Sequence, residues 1–222
     1  MKKFILTINS ILILAFSSGV TAGSCWNANK PDVDDCKVWA EQGNAVAQSN
    51  LGIIYQWGQG VPEDYKKSVY WYSKAAEQGN ADAQSNLGVM YHTGKGVLQD
   101  HKKAFEWYSK AAEQGHTAAQ SNLGIMYASG KGVPEDYKKS VYWYGKAAEQ
   151  GHASAQYNLG VMYFHGKGVP QDYVIAHMFF KIAGANGEKE GTKQRGLIAE
   201  LMTLSQIAEA ERLAGEWIQK HQ

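Results

Sequence analysis

The side chains that could do chemistry in this 222-residue sequence are two cysteines, seven histidines, and serines and carboxylates spread along the chain. A serine hydrolase of the β-lactamase type needs a Ser-x-x-Lys nucleophile and a Lys-Thr-Gly triplet, and neither pattern occurs. No two histidines lie four residues apart around a carboxylate, as a zinc-binding helix would require. The sequence therefore predicts no catalytic, metal or cofactor site.

The first 22 residues have the features of a secretory signal peptide. Lys2-Lys3 form a basic head, Ile11–Phe16 form an apolar centre, and the small residues Val20 and Ala22 precede a cleavage site. We expect a periplasmic or secreted protein with no stable membrane insertion after the leader is removed. An uncleaved membrane anchor and a lipid-modified Cys25 are the alternatives.

Export would place the two cysteines in an oxidising compartment, where disulfides form and persist. Cys25 and Cys36 are then predicted to form one disulfide that fastens an irregular N-terminal strap to the first helix. Two free thiols or a metal site are the alternatives, and two ligands alone do not make a zinc site.

Most of the remaining sequence is one unit, Ala47–Gly79, which recurs three more times at a step of 36 residues. Leu51-Gly52, for example, returns as Leu87-Gly88, Leu123-Gly124 and Leu159-Gly160. A fixed period of this size predicts a solenoid of stacked repeats, with atypical units that cover its two ends.

Each unit is predicted to contain two helices. In the first unit, Asn44 and Asp64 are the expected N-caps, and Gly58 and Gly60 break the chain between the helices. Gly52 lies inside the first helix, where glycine costs about 1 kcal/mol relative to alanine. Its recurrence in every unit indicates a close approach by a neighbouring helix.

The fold class predicted is all-α. The domain boundaries predicted are a signal peptide at 1–22, a strap and capping half-repeat at 23–43, repeats at 44–79, 80–115, 116–151 and 152–187, and C-terminal capping helices at 188–222.

The repeated pattern AxAQxxLGxxYxxGxGVxxDYxKAxxWYxKAAEQG resembles the Sel-1-like repeat family, a relative of the tetratricopeptide repeats. This resemblance implies a right-handed α/α superhelix whose first helices line the concave side. It also implies a scaffold that binds proteins or peptides. Some cysteine-rich members have been associated with penicillin binding and β-lactamase activity, so a hydrolase is the alternative function.

The residues expected to contact a partner lie on the first helices, at positions that vary among repeats, together with a recurring asparagine that could pair with a peptide backbone. Hydrogen bonding between repeats is the alternative role for that asparagine, and covering the ends of the stack is the alternative for the aromatic residues. The candidate set is Val46, Ser49, Asn50, Ile53, Trp57, Asp82, Ser85, Asn86, Val89, His92, Ser121, Asn122, Ile125, Tyr157, Asn158, Val161, Phe164 and His165.

The formal net charge of +1 favours neither a nucleic-acid partner nor a membrane surface. The sequence therefore predicts an exported, non-enzymatic adaptor that binds a protein or peptide ligand and uses no cofactor.

Overall fold

The computed structural model describes residues 25–27 and 30–221, so the predicted leader at 1–22 lies outside the described residues. Within the described residues the chain forms a short β-hairpin and 11 α-helices. β1, Trp26–Asn27, pairs antiparallel with β2, Lys30–Pro31. The helices are α1 Val33–Glu41, α2 Ala45–Trp57, α3 Tyr65–Glu77, α4 Ala81–Thr93, α5 His101–Glu113, α6 Thr117–Ser129, α7 Tyr137–Glu149, α8 Ala153–His165, α9 Tyr173–Ala185, α10 Lys189–Ala199 and α11 Leu204–His221.

Helices α2 to α9 alternate as the first and second helices of four repeats. Each first helix packs against its own second helix, and each second helix packs against the first helix of the next repeat. The predicted fold class, an all-α solenoid of helix-turn-helix repeats, is confirmed. None of the helices in the described ranges has the length and apolar character needed to cross a membrane.

The helix starts follow the predicted capping chemistry. The Asn44 side chain accepts a hydrogen bond from the Ala47 N–H at 2.9 Å, and Asp64 accepts one from the Lys67 N–H at 3.0 Å. In the third and fourth repeats a histidine replaces the asparagine cap, and the Nδ1 atom of His152 accepts from the Ala155 N–H at 3.2 Å. These caps satisfy backbone donors that no intrahelical carbonyl can reach.

The histidine cap makes the stability of the fourth repeat depend on pH. Burial is the main cause that lowers the pKa of His152 below its ordinary value of 6.5. A depressed histidine pKa contributes stability that is present above pH 6.5 and is lost as the pH falls through the folded-state value. Protonation also removes the Nδ1 lone pair that caps α8.

We therefore expect His152→Asn to reduce the loss of stability between pH 7.5 and pH 5 by about 1 kcal/mol, the usual contribution of an N-cap. Urea unfolding at the two pH values measures this difference. The first two repeats already use asparagine at this position, so the variant introduces no foreign geometry. An unchanged pH dependence in the variant would show that His152 does not cause it.

The glycine inside each first helix receives an aromatic ring from the second helix. A Cβ atom built on Gly88 would lie 2.6 Å from the ring of Tyr108, and one built on Gly160 would lie 2.6 Å from Phe180. The first and third repeats pair Gly52 with Tyr72 and Gly124 with Tyr144. The close approach predicted from these glycines is thus the packing of an aromatic ring of the second helix against the backbone of the first helix.

A second repeated contact joins successive repeats. The Gln48 side chain donates to the Ala40 carbonyl at 3.0 Å and accepts from Gln78 at 2.7 Å. The later repeats have the same arrangement: Gln84, Gln120 and Gln156 donate to the Ala76, Ala112 and Ala148 carbonyls of the preceding repeat and accept from Gln114, Gln150 and Asn186 of their own. The buried glutamine of each repeat thus bonds to a carbonyl of the helix before it, which helps to fix the register of the stack.

The predicted disulfide between Cys25 and Cys36 is present and closes the N-terminal end. Both cysteines are almost fully buried and pack with Ala47, Leu51 and Ile54 of α2. The strap is therefore held directly against the first helix of the first repeat.

The C-terminal end is covered by α11. In the fourth repeat Phe179 and Ile182 stand where the other repeats have tryptophan and lysine, and both are buried. Trp217 of α11 packs edge-on against Phe179, with 5.2 Å between ring centroids. Thr203 and Gln206 form a capping box at the start of this helix. Leu204, the first residue of α11, is 86% exposed.

Candidate functional site

The first helices present one continuous stripe of accessible side chains. It is formed by the four positions represented in α2 by Val46, Asn50, Ile53 and Trp57, which share one side of the helix. The two outer positions are exposed in every repeat, and the two middle positions are half-buried except at Ile125, which is exposed. We call this stripe the first-helix face, and the remaining members are Asp82, Asn86, Val89 and Thr93 on α4, Ala118, Asn122, Ile125 and Ser129 on α6, and Ser154, Asn158, Val161 and His165 on α8.

The recurring asparagine of this face carries hydrogen-bonding capacity that the fold does not use. Among the described residues the side chains of Asn50, Asn86, Asn122 and Asn158 have no hydrogen-bond partner, and none of their amide atoms is sealed from solvent. The asparagines that cap helices, Asn44 and Asn80, are bonded to the backbone. Each of the four amides can therefore both donate to and accept from a ligand.

An aliphatic row lies beside the asparagines. Ile53, Val89, Ile125 and Val161 occupy the same register in α2, α4, α6 and α8. Ile125 is 43% exposed, whereas Ile53 packs partly against the core of the next repeat. The middle of the first-helix face thus alternates polar amides with branched apolar side chains.

The two outer positions of the first-helix face include large apolar and charged side chains. Trp57 is 66% exposed and Val46 is 54% exposed at the N-terminal end of the array. Asp82 of α4 lies 3.3 Å from the Nε2 atom of His116, across the boundary between the second and third repeats. The end of the first-helix face that carries Val46 and Trp57 is therefore more apolar than the part that carries Asp82.

Several residues of the sequence-based candidate set lie beside the first-helix face and not on it. Ser49, Ser85 and Ser121 are each only 4% exposed, so a ligand cannot reach them in this conformation. Tyr157 occupies the same register in α8 and packs against Phe180, with 5.6 Å between ring centroids.

His92 on α4 and Phe164 on α8 share another helix position, which also faces the second helix of the repeat. Phe164 stacks on Tyr173 at 5.5 Å between centroids. His92 lies 4.9 Å from the ring of His101. Burial is the first cause that lowers the pKa of His92, and the nearby His101 and Lys131 lower it further. His92 is thus held in its neutral form over a wider pH range than a free histidine.

The face deepens into a cavity of about 180 Å³ between the third and fourth repeats. Asn158 and Val161 of α8 lie in its wall. Tyr137 of α7 and Lys167, in the loop after α8, complete it. Tyr137 and Lys167 were not among the candidates. The sequence signal that could have identified them is the recurring Gly-Lys-Gly loop, because its lysine lies 5.0 Å above the ring of Tyr137.

Across residues 25–27 and 30–221, no group of three or more histidine, cysteine, aspartate or glutamate side chains is arranged to hold a metal ion. What the first-helix face offers is shape, hydrogen-bonding groups and apolar surface.

Comparison with protein families gives four consecutive matches to the Sel1 repeat, at residues 45–80, 81–116, 117–152 and 153–188. These repeats begin one residue after the boundaries predicted from the sequence. No curated protein matches the chain significantly.

Two solved structures are similar to this chain over most of its length. The crystal structure of c5321, a protective antigen of uropathogenic Escherichia coli strains with an SLR fold, is 40% identical with a TM-score of 0.82 over 88% of this chain. A Sel1 repeat protein from Oxalobacter formigenes is 33% identical with a TM-score of 0.72 over 86% of this chain. The chain spans 42% of the E. coli protein and 75% of the Oxalobacter protein. The four matched repeats and both structures show that the chain belongs to the Sel1 repeat family, whose members are generally scaffolds for protein interactions.

Proposed function

We propose that this protein is an exported, non-enzymatic scaffold whose first-helix face binds an extended segment of a partner protein. The observation that carries the proposal is the row of four asparagine amides, in register and without a hydrogen-bond partner among the described residues. Structural amides elsewhere in the fold, such as Gln48 and Gln78, are satisfied by one another.

An extended peptide suits this row because its backbone offers donors and acceptors along its whole length. Packed helices lie roughly 8–10 Å apart, and an extended chain advances about 3.3 Å per residue. Each repeat would therefore span about three residues of ligand. Four repeats would accommodate a segment of roughly 10–12 residues.

Selectivity for the side chains of the bound segment would come from the aliphatic row and from the outer positions of the first-helix face. Ile125 offers the most accessible apolar side chain of the row, at 43% exposure. Trp57 is the strongest candidate for an anchor, because a large aromatic side chain gains most when a partner buries it. A ligand with apolar residues spaced at the repeat distance fits this pattern.

The contact set of the proposal is narrower than the sequence alone suggested. It keeps Val46, Trp57, Asp82, Ile125 and His165, together with the four asparagines and the rest of the aliphatic row, and it omits the buried serines at positions 49, 85 and 121. Tyr157 and Phe164 are assigned to packing at the end of the stack, since Phe180 and Tyr173 already cover them.

Export is supported by two observations. The Cys25–Cys36 disulfide belongs to the kind of covalent bond that persists outside the reducing cytosol. The similar E. coli protein is a protective antigen, which agrees with a position that antibodies can reach. The predicted leader at 1–22 provides the route.

The proposal is tested by panning the purified protein against a random library of 12-residue peptides and measuring the affinity of an enriched peptide. We expect a Trp57→Ala, Ile125→Ala variant to bind it at least tenfold more weakly. The matched control is Tyr70→Ala, Tyr142→Ala, which removes two side chains of similar exposure, 51% and 57%, from the second helices. Equal affinity for both variants, with folding retained, would show that the binding surface lies elsewhere.

A further inference from the structure

The boundary between the second and third repeats differs in chemistry from the boundary between the third and fourth. The cavity at the later boundary is lined in part by the residues Ala128, Tyr137 and Lys167. The residues 36 positions earlier in the chain, at the equivalent sites, are His92, His101 and Lys131. The earlier boundary therefore brings together three side chains that can carry positive charge.

These three side chains lie close to one another. The ring centroids of His92 and His101 are 4.9 Å apart. The loop that carries Lys131 packs on the start of α5, since a Cβ atom built on Gly132 would overlap the His101 carbonyl oxygen. In the next repeat the equivalent lysine, Lys167, lies 5.0 Å over the aromatic ring at the position of His101. We call His92, His101 and Lys131 the basic cluster.

The fold supplies no acidic partner for the basic cluster. Within the described part of the chain, none of its three side chains makes an ion pair or a hydrogen bond. Asp100 precedes His101 in the sequence, but its carboxylate accepts from two backbone N–H groups of α5 at 3.0 Å and so caps that helix. Burial lowers the pKa of His92, and His101 and Lys131 lower it further, as positive neighbours do. The charge of the cluster is therefore left uncompensated.

Both histidine rings direct their free donor outward. The Nδ1 atoms of His92 and His101 are sealed from solvent without a hydrogen-bond partner, whereas their Nε2 atoms are accessible. A proton on Nδ1 would bury an unpaired donor, so the neutral ring keeps its proton on Nε2. Two N–H groups and the exposed ammonium of Lys131 can thus donate to the two oxygens of one carboxylate.

We propose that the basic cluster binds the carboxylate of an aspartate or glutamate side chain in the segment that occupies the first-helix face. This inference rests on the proposed function and adds a charge requirement to it, because a cationic group on one partner selects an anionic group on the other. Asn122 and Ile125 lie beside the cluster, at the sites of Asn158 and Val161 in the cavity wall. With about three ligand residues per repeat, the acidic residue falls near the middle of the bound segment.

The test uses the 12-residue peptides enriched by panning, synthesised with an amidated C-terminus so that their only carboxylates are side chains. We expect an aspartate or glutamate near the centre, and its replacement by the corresponding amide should weaken binding to the whole protein about tenfold. For the protein variant His92→Ala, His101→Tyr, Lys131→Gln the same replacement should weaken binding by about twofold or less. Each new residue is native at the equivalent position of another repeat, so the variant should keep its helical circular dichroism. These native residues are Ala128, Tyr137 and Gln59.

The matched control is Lys95→Gln, which removes the equivalent lysine one repeat earlier, 5.1 Å over the ring of Tyr65, and should leave the effect of the peptide's acidic residue in place. Face-dependent peptides whose acidic residues can be replaced without loss, or an equal loss in both protein variants, would overturn this inference and leave the proposed function standing. Binding that disappears on amidation would identify the terminal carboxylate as the group bound and overturn the assignment to a side chain. Failure to enrich any peptide would contradict the proposed function and this inference with it.

Discussion

Replacing Gly88 with alanine is expected to destabilise the protein by about 1–3 kcal/mol, the usual cost of overpacking a core. In an exposed helix the same substitution would stabilise by about 1 kcal/mol, because alanine is the better helix former. The sign is reversed here because the new methyl group would lie 2.6 Å from the ring of Tyr108. That ring is itself buried, at 3% exposure, and has little room to move.

The control for this substitution is Gly196→Ala, at the equivalent position of α10, where no described atom lies within 4 Å. We expect it to leave the free energy of unfolding unchanged or to raise it by up to about 1 kcal/mol. Urea unfolding monitored by circular dichroism gives both values. Stabilisation by Gly88→Ala would contradict the assignment of a ring to the glycine position.

Removing the disulfide, as Cys25→Ala with Cys36→Ala, is expected to cost about 3 kcal/mol of stability at the N-terminal end. The bond closes a loop with a sequence separation of 11 residues, and its loss also loosens the packing of both side chains on α2. Because a solenoid's repeats interact mainly with their neighbours, the loss should be concentrated in α1 and α2. Hydrogen exchange followed by mass spectrometry would locate it.

Reductant provides the internal control for this prediction. It should destabilise the wild-type protein and have no effect on the double variant. Alkylation of both cysteines in unreduced protein isolated from the periplasm would show that the bond does not form in the cell.

The fold was predictable from the sequence because its determinants are local and repeated. Asn44, Asp64 and Gly58 mark helix ends through short-range hydrogen bonds and backbone conformation, and the structure confirms each of them. The close approach at Gly52 was also predictable, since a glycine that recurs inside a helix needs a packing reason.

The first-helix face was only partly predictable, because one register position along a helix separates an exposed residue from a buried one. Ser49 and Asn50 are neighbours in sequence, yet the serine is buried and the asparagine is accessible. The pairing of Gln48 with Gln78 joins residues 30 apart within one repeat, and the bond from Gln48 to the Ala40 carbonyl forms only when that repeat stacks on the helix before it. The packing of α11 against α9 likewise depends on tertiary contacts.

The central claim is that the four asparagine amides contact the ligand. Protein labelled with ¹⁵N only at asparagine would show their side-chain NH₂ signals directly in an NMR titration with an enriched 12-residue peptide. We predict that the signals of Asn50, Asn86, Asn122 and Asn158 shift together, whereas those of the capping residues Asn44 and Asn80 stay in place. Saturating peptide that leaves the four signals unmoved would contradict the account.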